Sequence, residues 1–223
     1  MMFNKNAFIV SCQAEGDDPF NSPEGVSMFA KAAEMGGADG IRSEGIAKTK
    51  KIIDSVSIPV IGLIKTYFED GLVKITGSLS DVKELHEIGC RFIAIDGTFR
   101  LREGITGPDF ISRIKSKYDC EIMADISTIE EAIACQNSGA DCISTTLNGY
   151  TEATKFDNNG EPNFQLIKEL TNKIDIPIFA EGRISNPIQA KQMIDCGAFG
   201  VVVGTLITRP RVVTNSFVKF IKS

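Results

Sequence analysis

Short apolar runs recur along this chain, and each ends abruptly in a charged, polar or glycine residue. The clearest is Ile176-Pro177-Ile178-Phe179-Ala180-Glu181-Gly182-Arg183, where an unbroken apolar stretch meets a carboxylate. Near-continuous runs of this kind suit strands buried on both faces of a parallel sheet. Similar runs at 7–13, 38–42, 59–65, 92–96, 121–125, 141–147 and 199–204 bring the predicted strands to eight. The segments between them carry helix signals. Ser22-Pro23-Glu24 reads as an N-cap, a first-turn proline and a first-turn acid. A helix is predicted through Lys50 to Val56, and Ser80 is predicted to cap the one ending at Gly89. Pro108 opens another. Thr128 and Glu131 form a capping box. Phe164 to Ile174 reads as helical, and Asn186-Pro187 caps a further helix. Pro210 starts the closing helix, with Val213, Phe217, Phe220 and Ile221 along one face.

The strand and helix signals also repeat as a unit. Gly36-Gly37-Ala38-Asp39-Gly40-Ile41 resembles Ser138-Gly139-Ala140-Asp141-Cys142-Ile143 and Cys196-Gly197-Ala198-Phe199-Gly200-Val201, with a looser copy around Gly89. The marker glycines lie 50 to 58 residues apart, long enough for two strand-helix units each. An even fourfold repeat favours a closed (β/α)8 TIM barrel over an open doubly wound sheet. At 223 residues the whole of 1–223 is expected to form one domain.

Composition narrows the function. The net charge of −5 gives no basic surface for nucleic acid or an anionic membrane. No apolar run approaches the ~18 residues of a membrane span. The apolar run Ala7 to Cys12 is too short for a secretory signal core, so a cytoplasmic location is expected. The six cysteines form no C-x-x-C pair and read as small buried hydrophobes rather than catalytic thiols. The single histidine, His86, sits in a polar helical stretch, which argues against a histidine zinc site or a histidine triad.

Candidate chemistry lies at the strand ends: Gln13, Arg42, Lys65, Asp96, Asp125, Thr145-Thr146, Glu181 and Gly204. A barrel brings all of them to one mouth, where such folds keep their sites. Asp96, in Asp-Gly-Thr, is the one most simply explained as a loop cap. No G-x-G dinucleotide fingerprint and no P-loop occur. An anion could instead be held by backbone N–H groups after strands seven and eight, at Gly182-Arg183 and Gly204-Thr205, with Arg209 adding a charge-assisted contact. The long polar loop from Asn148 to Pro162 is a further candidate for function.

Six stretches carry a family resemblance: Ile9-Val10-Ser11-Cys12-Gln13-Ala14, Gly40-Ile41-Arg42, Pro59 through Lys65, Ile122-Met123-Ala124-Asp125-Ile126, Thr145 through Thr151, and Ala180-Glu181-Gly182. With Ile207-Thr208-Arg209-Pro210 they resemble the N-acetylmannosamine-6-phosphate 2-epimerase family along nearly the whole chain. The chain departs from that family's pattern at Gly97, Glu103 and Asn148. The resemblance implies interconversion of N-acetylmannosamine 6-phosphate and N-acetylglucosamine 6-phosphate in bacterial use of sialic acid, without a cofactor. It implies Lys65 as base and Glu181 as second catalytic group. Gln13, Arg42 and Asp125, with Thr145, would hold the sugar and its N-acetyl group. Gly182, Arg183, Gly204, Thr205 and Arg209 would surround the phosphate. The partner is then an N-acetylated hexosamine 6-phosphate, with neither nucleic acid nor membrane, and a homodimer is the assembly to test.

The residues agree with that chemistry. Inverting C2 takes a proton from one face and returns one to the other, and without a suitable histidine the base is a lysine or a carboxylate. A lysine base must come down from about 10.4 in water toward about 7–8. Two other readings stay open on the residues alone: a Schiff-base aldolase using Lys65, and a non-catalytic sugar-phosphate binder.

Overall fold

The computed structural model describes residues 2–155 and 160–223. Eight parallel strands close into a barrel in the order β1-β10-β9-β8-β7-β6-β3-β2. These are β1 (Ala7–Cys12), β2 (Gly40–Glu44), β3 (Val60–Leu63), β6 (Phe92–Asp96), β7 (Glu121–Asp125), β8 (Cys142–Ser144), β9 (Ile178–Glu181) and β10 (Gly200–Val203). The outer helices are α1 (Pro23–Met35), α2 (Ile46–Ile53), α3 (Leu79–Glu87), α4 (Gly107–Lys115), α5 (Ile129–Asn137), α6 (Phe164–Thr171) and α7 (Pro187–Asp195). Among the described residues no helix is long and apolar enough to cross a membrane.

Strand periodicity sorts the side chains. Successive residues point to opposite faces, so Ile93, Ile122, Ile178 and Val201 pack outward under the helices, while Phe92, Met123, Phe179 and Val202 fill the interior. Phe3 plugs the base of the barrel, its ring 5.6 Å from Phe92 and 5.8 Å from Phe179. Fully burying each such side chain contributes about 1.5–3 kcal/mol. The same alternation, one step further along each strand, turns Arg42, Asp125 and Glu181 inward at the other end. The barrel is therefore dry at its base and charged at its mouth.

Several boundaries differ from the sequence reading. The barrel strand β3 stops at Leu63, and Lys65 belongs to a separate antiparallel hairpin of β4 (Lys65–Tyr67) with β5 (Val73–Ile75). The alternating Lys-Thr-Tyr and Val-Lys-Ile runs are too short to stand out in sequence. Ser78, not Ser80, caps α3, because Asp81 is the residue that closes a reciprocal capping box with it. Helix α2 begins at Ile46 and ends at Ile53, earlier than expected, with Gly45 at its N-terminus. Strand β8 covers only part of 141–147, since Asp141 turns to bond the Ile122 backbone and Lys115. A short helix α8 (Thr205–Thr208) precedes α9 (Pro210–Lys222), and the apolar face predicted for the closing helix is present but not buried. Arg209, at φ −123° and ψ 68°, breaks the two helices apart. Phe217, Phe220 and Ile221 are exposed.

Candidate active site

The inward charges form a buried floor. Arg42 is 1% exposed and Asp125 is fully buried. The guanidinium forks onto Asp125, with Nη1 donating to Oδ1 at 3.0 Å and Nη2 to Oδ2 at 2.5 Å. Nη1 also lies 3.3 Å from Glu181 Oε2. A bidentate fork of this kind fixes orientation as well as charge. Thr146 joins the two carboxyls. Its Oγ1 lies 2.8 Å from Asp125 Oδ1 and 3.0 Å from Glu181 Oε2, with Ser144 Oγ at 2.8 Å.

One hydroxyl has one hydrogen and cannot donate to both carboxylates. The contact is satisfied when one carboxyl carries a proton and donates back. Burial pushes the Asp125 and Glu181 carboxyls above their ordinary values against the pull of Arg42, and the Asp125 charge adds to the push on Glu181. Asp125 takes both nitrogens of the fork, whereas Glu181 has one contact with Arg42 and a second hydroxyl, Ser144 Oγ, at 3.4 Å, which favours Glu181 as the carboxyl that takes up a proton. That state also makes the floor neutral, one arginine against one carboxylate.

Above the floor is a wide mouth of about 880 Å³, lined by Gln13, Lys65, Glu181, Gly182, Gly204 and Arg209 among others. Gln13 is buried and donates to Ser11 Oγ at 2.9 Å. Lys65 is held by the hairpin, opposite Ile75, and its Nζ bonds Glu15 Oε1. Glu15 Oε1 is also 3.5 Å from Arg209 Nη2. Gly182 has φ +113°, a conformation that favours glycine, and among the described residues no atom beyond its chain neighbours lies within 4 Å of where a Cβ would stand. Gly204 caps α8 without a side-chain partner, and exposed Thr205 follows it.

Two predicted contact residues are already engaged by protein groups. Thr145 is buried and exchanges hydrogen bonds with the Glu181 backbone at 3.0 and 3.1 Å, so it fixes the strand end rather than facing the mouth. Arg183 lines the mouth, but its guanidinium already donates to the Glu161 carbonyl at 2.8 Å, the Asn148 carbonyl at 3.0 Å and Asn148 Oδ1 at 3.3 Å. It ties the 148–162 loop to β9. Residues 156–159 of that loop lie outside the described residues.

Asp96 is a loop cap as read: it accepts from Thr98, Arg100 and Arg102. At Gly97 a Cβ would stand 2.7 Å from Cys135 Sγ, so the thiol fills the space a larger residue would take. All six cysteines are free, and burial pushes the Cys90 and Cys120 thiols up to about 11. Among the described residues no cluster of histidine, cysteine or carboxylate side chains could hold a metal ion. Glu15 was missed, although continuing the in-out alternation from Gln13 past the strand end points to it. Thr146 was seen as a strand end without a role.

Comparison with known proteins adds an independent line. The sequence model of a family described as "Putative N-acetylmannosamine-6-phosphate epimerase" matches residues 26–223. A protein of Caldanaerobacter subterraneus subsp. tengcongensis named "Putative N-acetylmannosamine-6-phosphate 2-epimerase" is 46% identical over 220 residues, covering 98% of this chain and 92% of its own. One of the same name from Clostridium perfringens (strain SM101 / Type A) is 41% identical, covering 98% of both chains. A solved structure of the N-acetylmannosamine-6-phosphate 2-epimerase from Clostridium perfringens superposes with a TM-score of 0.89 at 39% identity, over 97% of this chain and 93% of that one. Thiamine phosphate pyrophosphorylase from Pyrococcus furiosus shares the fold alone, with a TM-score of 0.60 at 13% identity over 90% of this chain and 85% of that one.

Proposed function

The chain belongs to the N-acetylmannosamine-6-phosphate epimerase family, and from that premise we propose that it inverts C2 of N-acetylmannosamine 6-phosphate by two-sided proton transfer between Lys65 and Glu181. The product is N-acetylglucosamine 6-phosphate, and no cofactor takes part. What supports this reading above all is the strand order. β3, which leads into Lys65, and β9, which carries Glu181, are four places apart in either direction around the closed barrel. Groups arriving from opposite walls are what an inversion at one carbon needs.

In the reaction, the sugar opens to its C1 aldehyde, which acidifies the hydrogen on C2. Glu181 assists ring opening. Lys65, released from Glu15 and having given a proton to water, takes that hydrogen as a proton and becomes an ammonium. Glu181, in its acid form, delivers a proton to the opposite face of C2 and becomes a carboxylate. Exchange with water restores both groups. Gln13, Arg42 and Asp125 hold the sugar and its N-acetyl group, and Thr145 supports them by fixing the Glu181 backbone. Gly182, Gly204, Thr205 and Arg209 receive the phosphate, with Arg183 bracing the loop beside them. One acid–base group typically contributes about 100- to 10,000-fold.

This reading takes residues 1–223 as one catalytic domain in the cytoplasm, acting in sialic acid catabolism. It takes the assembly as a homodimer paired through α9, which has no buried residue and leaves Phe217 65%, Phe220 85% and Ile221 77% exposed. Sedimentation of the wild type against Phe220→Glu tests the pairing: a dimer that becomes a monomer agrees, and a monomeric wild type refutes it. Conversion of the phosphorylated mannosamine to the glucosamine epimer, followed by NMR, tests the activity itself. No conversion by the folded protein would end the reading.

A further inference from the structure

The steps above leave Glu15 unused, yet it occupies the rim between two of their residues. β1 ends at Cys12, and the segment beyond it places Gln13 and Glu15 along the mouth. Lys48 Nζ donates to the Ala14 carbonyl and to Asn21 Oδ1, both at 3.2 Å, and pairs with Glu44 at 2.6 Å. Arg211 at the start of α9 pairs with Asp17 at 2.7 Å. Glu15 is thereby fixed with one oxygen, Oε1, facing both Lys65 Nζ and Arg209 Nη2. Burial pushes its carboxyl up, but Lys65, then Arg209 and Lys48, outweigh it and hold it below the ordinary carboxylate value. Glu15, Lys65 and Arg209 all line the same mouth.

We propose that Glu15 is a specificity-determining residue, an internal counter-ion that competes with the phosphate of the incoming ligand for Arg209. This rests on the reading that the substrate phosphate lies at Arg209. A phosphate dianion and the Glu15 carboxylate repel each other on a shared guanidinium. Phosphate entry therefore costs the Glu15 contact. A free phosphate meets only the rim and has nothing to offset that loss. A sugar phosphate also reaches Gln13 and Arg42, which line the same mouth, and those contacts offset it. Glu15 thus lets the whole substrate in and keeps bare anions weak.

The test is calorimetric titration of inorganic phosphate into the wild type, Glu15→Gln, Glu15→Asp, Arg209→Ala and the double variant Glu15→Gln/Arg209→Ala. Glu15→Gln keeps the shape and removes the charge. It is expected to bind phosphate about fivefold tighter, the upper end for a half-exposed ion pair, with unphosphorylated N-acetylglucosamine unaffected. The KM for the phosphorylated substrate falls in parallel. Glu15→Asp, which keeps the charge, stays nearer the wild type. With Arg209 removed, the Glu15→Gln gain vanishes, because coupled residues are not additive. Unchanged or weaker phosphate binding in a folded Glu15→Gln variant overturns the proposal, as does a gain that survives undiminished without Arg209. If Arg209→Ala alone leaves phosphate affinity unchanged, the phosphate site itself is misplaced, and both readings fall together.

Discussion

The floor and the rim of the mouth carry similar charges in different ways. On the floor, Arg42, Asp125 and Glu181 are enclosed, with 1%, 0% and 15% of their side chains exposed, and Thr146 joins the two carboxyls. On the rim, Lys65, Glu15 and Arg209 keep 23%, 44% and 30% of theirs, and the pairs rest on one shared oxygen. Buried charges are costly to separate and hold one arrangement. Half-exposed pairs are worth about 1 kcal/mol or less and exchange partners readily. The floor can therefore hold a proton in a fixed place, while the rim can give up its contacts to a ligand.

Breaking the floor has the largest expected effect. Arg42→Met leaves two buried carboxyls without a cation and is expected to cost about 3–5 kcal/mol in urea unfolding. A loss below about 1 kcal/mol, the value of a surface pair, would erase the distinction between floor and rim. Glu181→Gln comes next. It keeps the shape, cannot donate as an acid, and is expected to lower kcat by about 100-fold or more while the sugar phosphate still binds. Near-normal turnover would reduce Glu181 to a binding residue.

The same variant reads the floor's proton through stability. The folded protein holds a proton on the Asp125–Glu181 pair above the ordinary glutamate value of 4.5, where the unfolded chain releases it. That contribution is present at low pH and is lost as pH rises through the pair's raised range. Glu181→Gln is expected to flatten this decline in thermal midpoint. An unchanged slope would place the proton elsewhere.

Sharpening the rim takes smaller changes. Arg209→Ala is expected to weaken the phosphorylated sugar by about 1.5–3 kcal/mol and the unphosphorylated sugar hardly at all, measured by calorimetry. Equal effects would move the phosphate from Arg209. Cys196→Ser, at the half-buried thiol, is expected to leave turnover and stability within about 0.5 kcal/mol of the wild type. A loss of activity there would reveal a catalytic thiol.

Most of the barrel was legible because its signals are local. Apolar runs ending in polar residues marked the strands, and the spacing of Gly37, Gly89, Gly139 and Gly197 counted them. Phe92–Asp96 and Glu121–Asp125 were read to the residue. The convergence of Arg42, Asp125 and Glu181 from strand ends was readable, but not the Arg42–Asp125 fork that makes them a buried floor. The rim was less so, because its partners meet across distant loops: Glu15 and Lys65 are 50 residues apart, and Glu15 and Arg209 are 194 apart. Thr145 and Arg183 show the other limit. Their type and place fitted ligand contact, but their atoms bond the Glu181 backbone and the Asn148 loop.

The central claim is that two groups on opposite walls move the proton, and one measurement addresses it. Epimerisation of N-acetylmannosamine 6-phosphate in heavy water, stopped early, is read by NMR at C2 of product and of recovered substrate. Two-sided transfer predicts deuterium at C2 of the product from the first turnovers, and Lys65→Ala abolishes both exchange and conversion. A product that keeps its original hydrogen at C2 would mean that one group carries the proton across both faces, and would contradict the account.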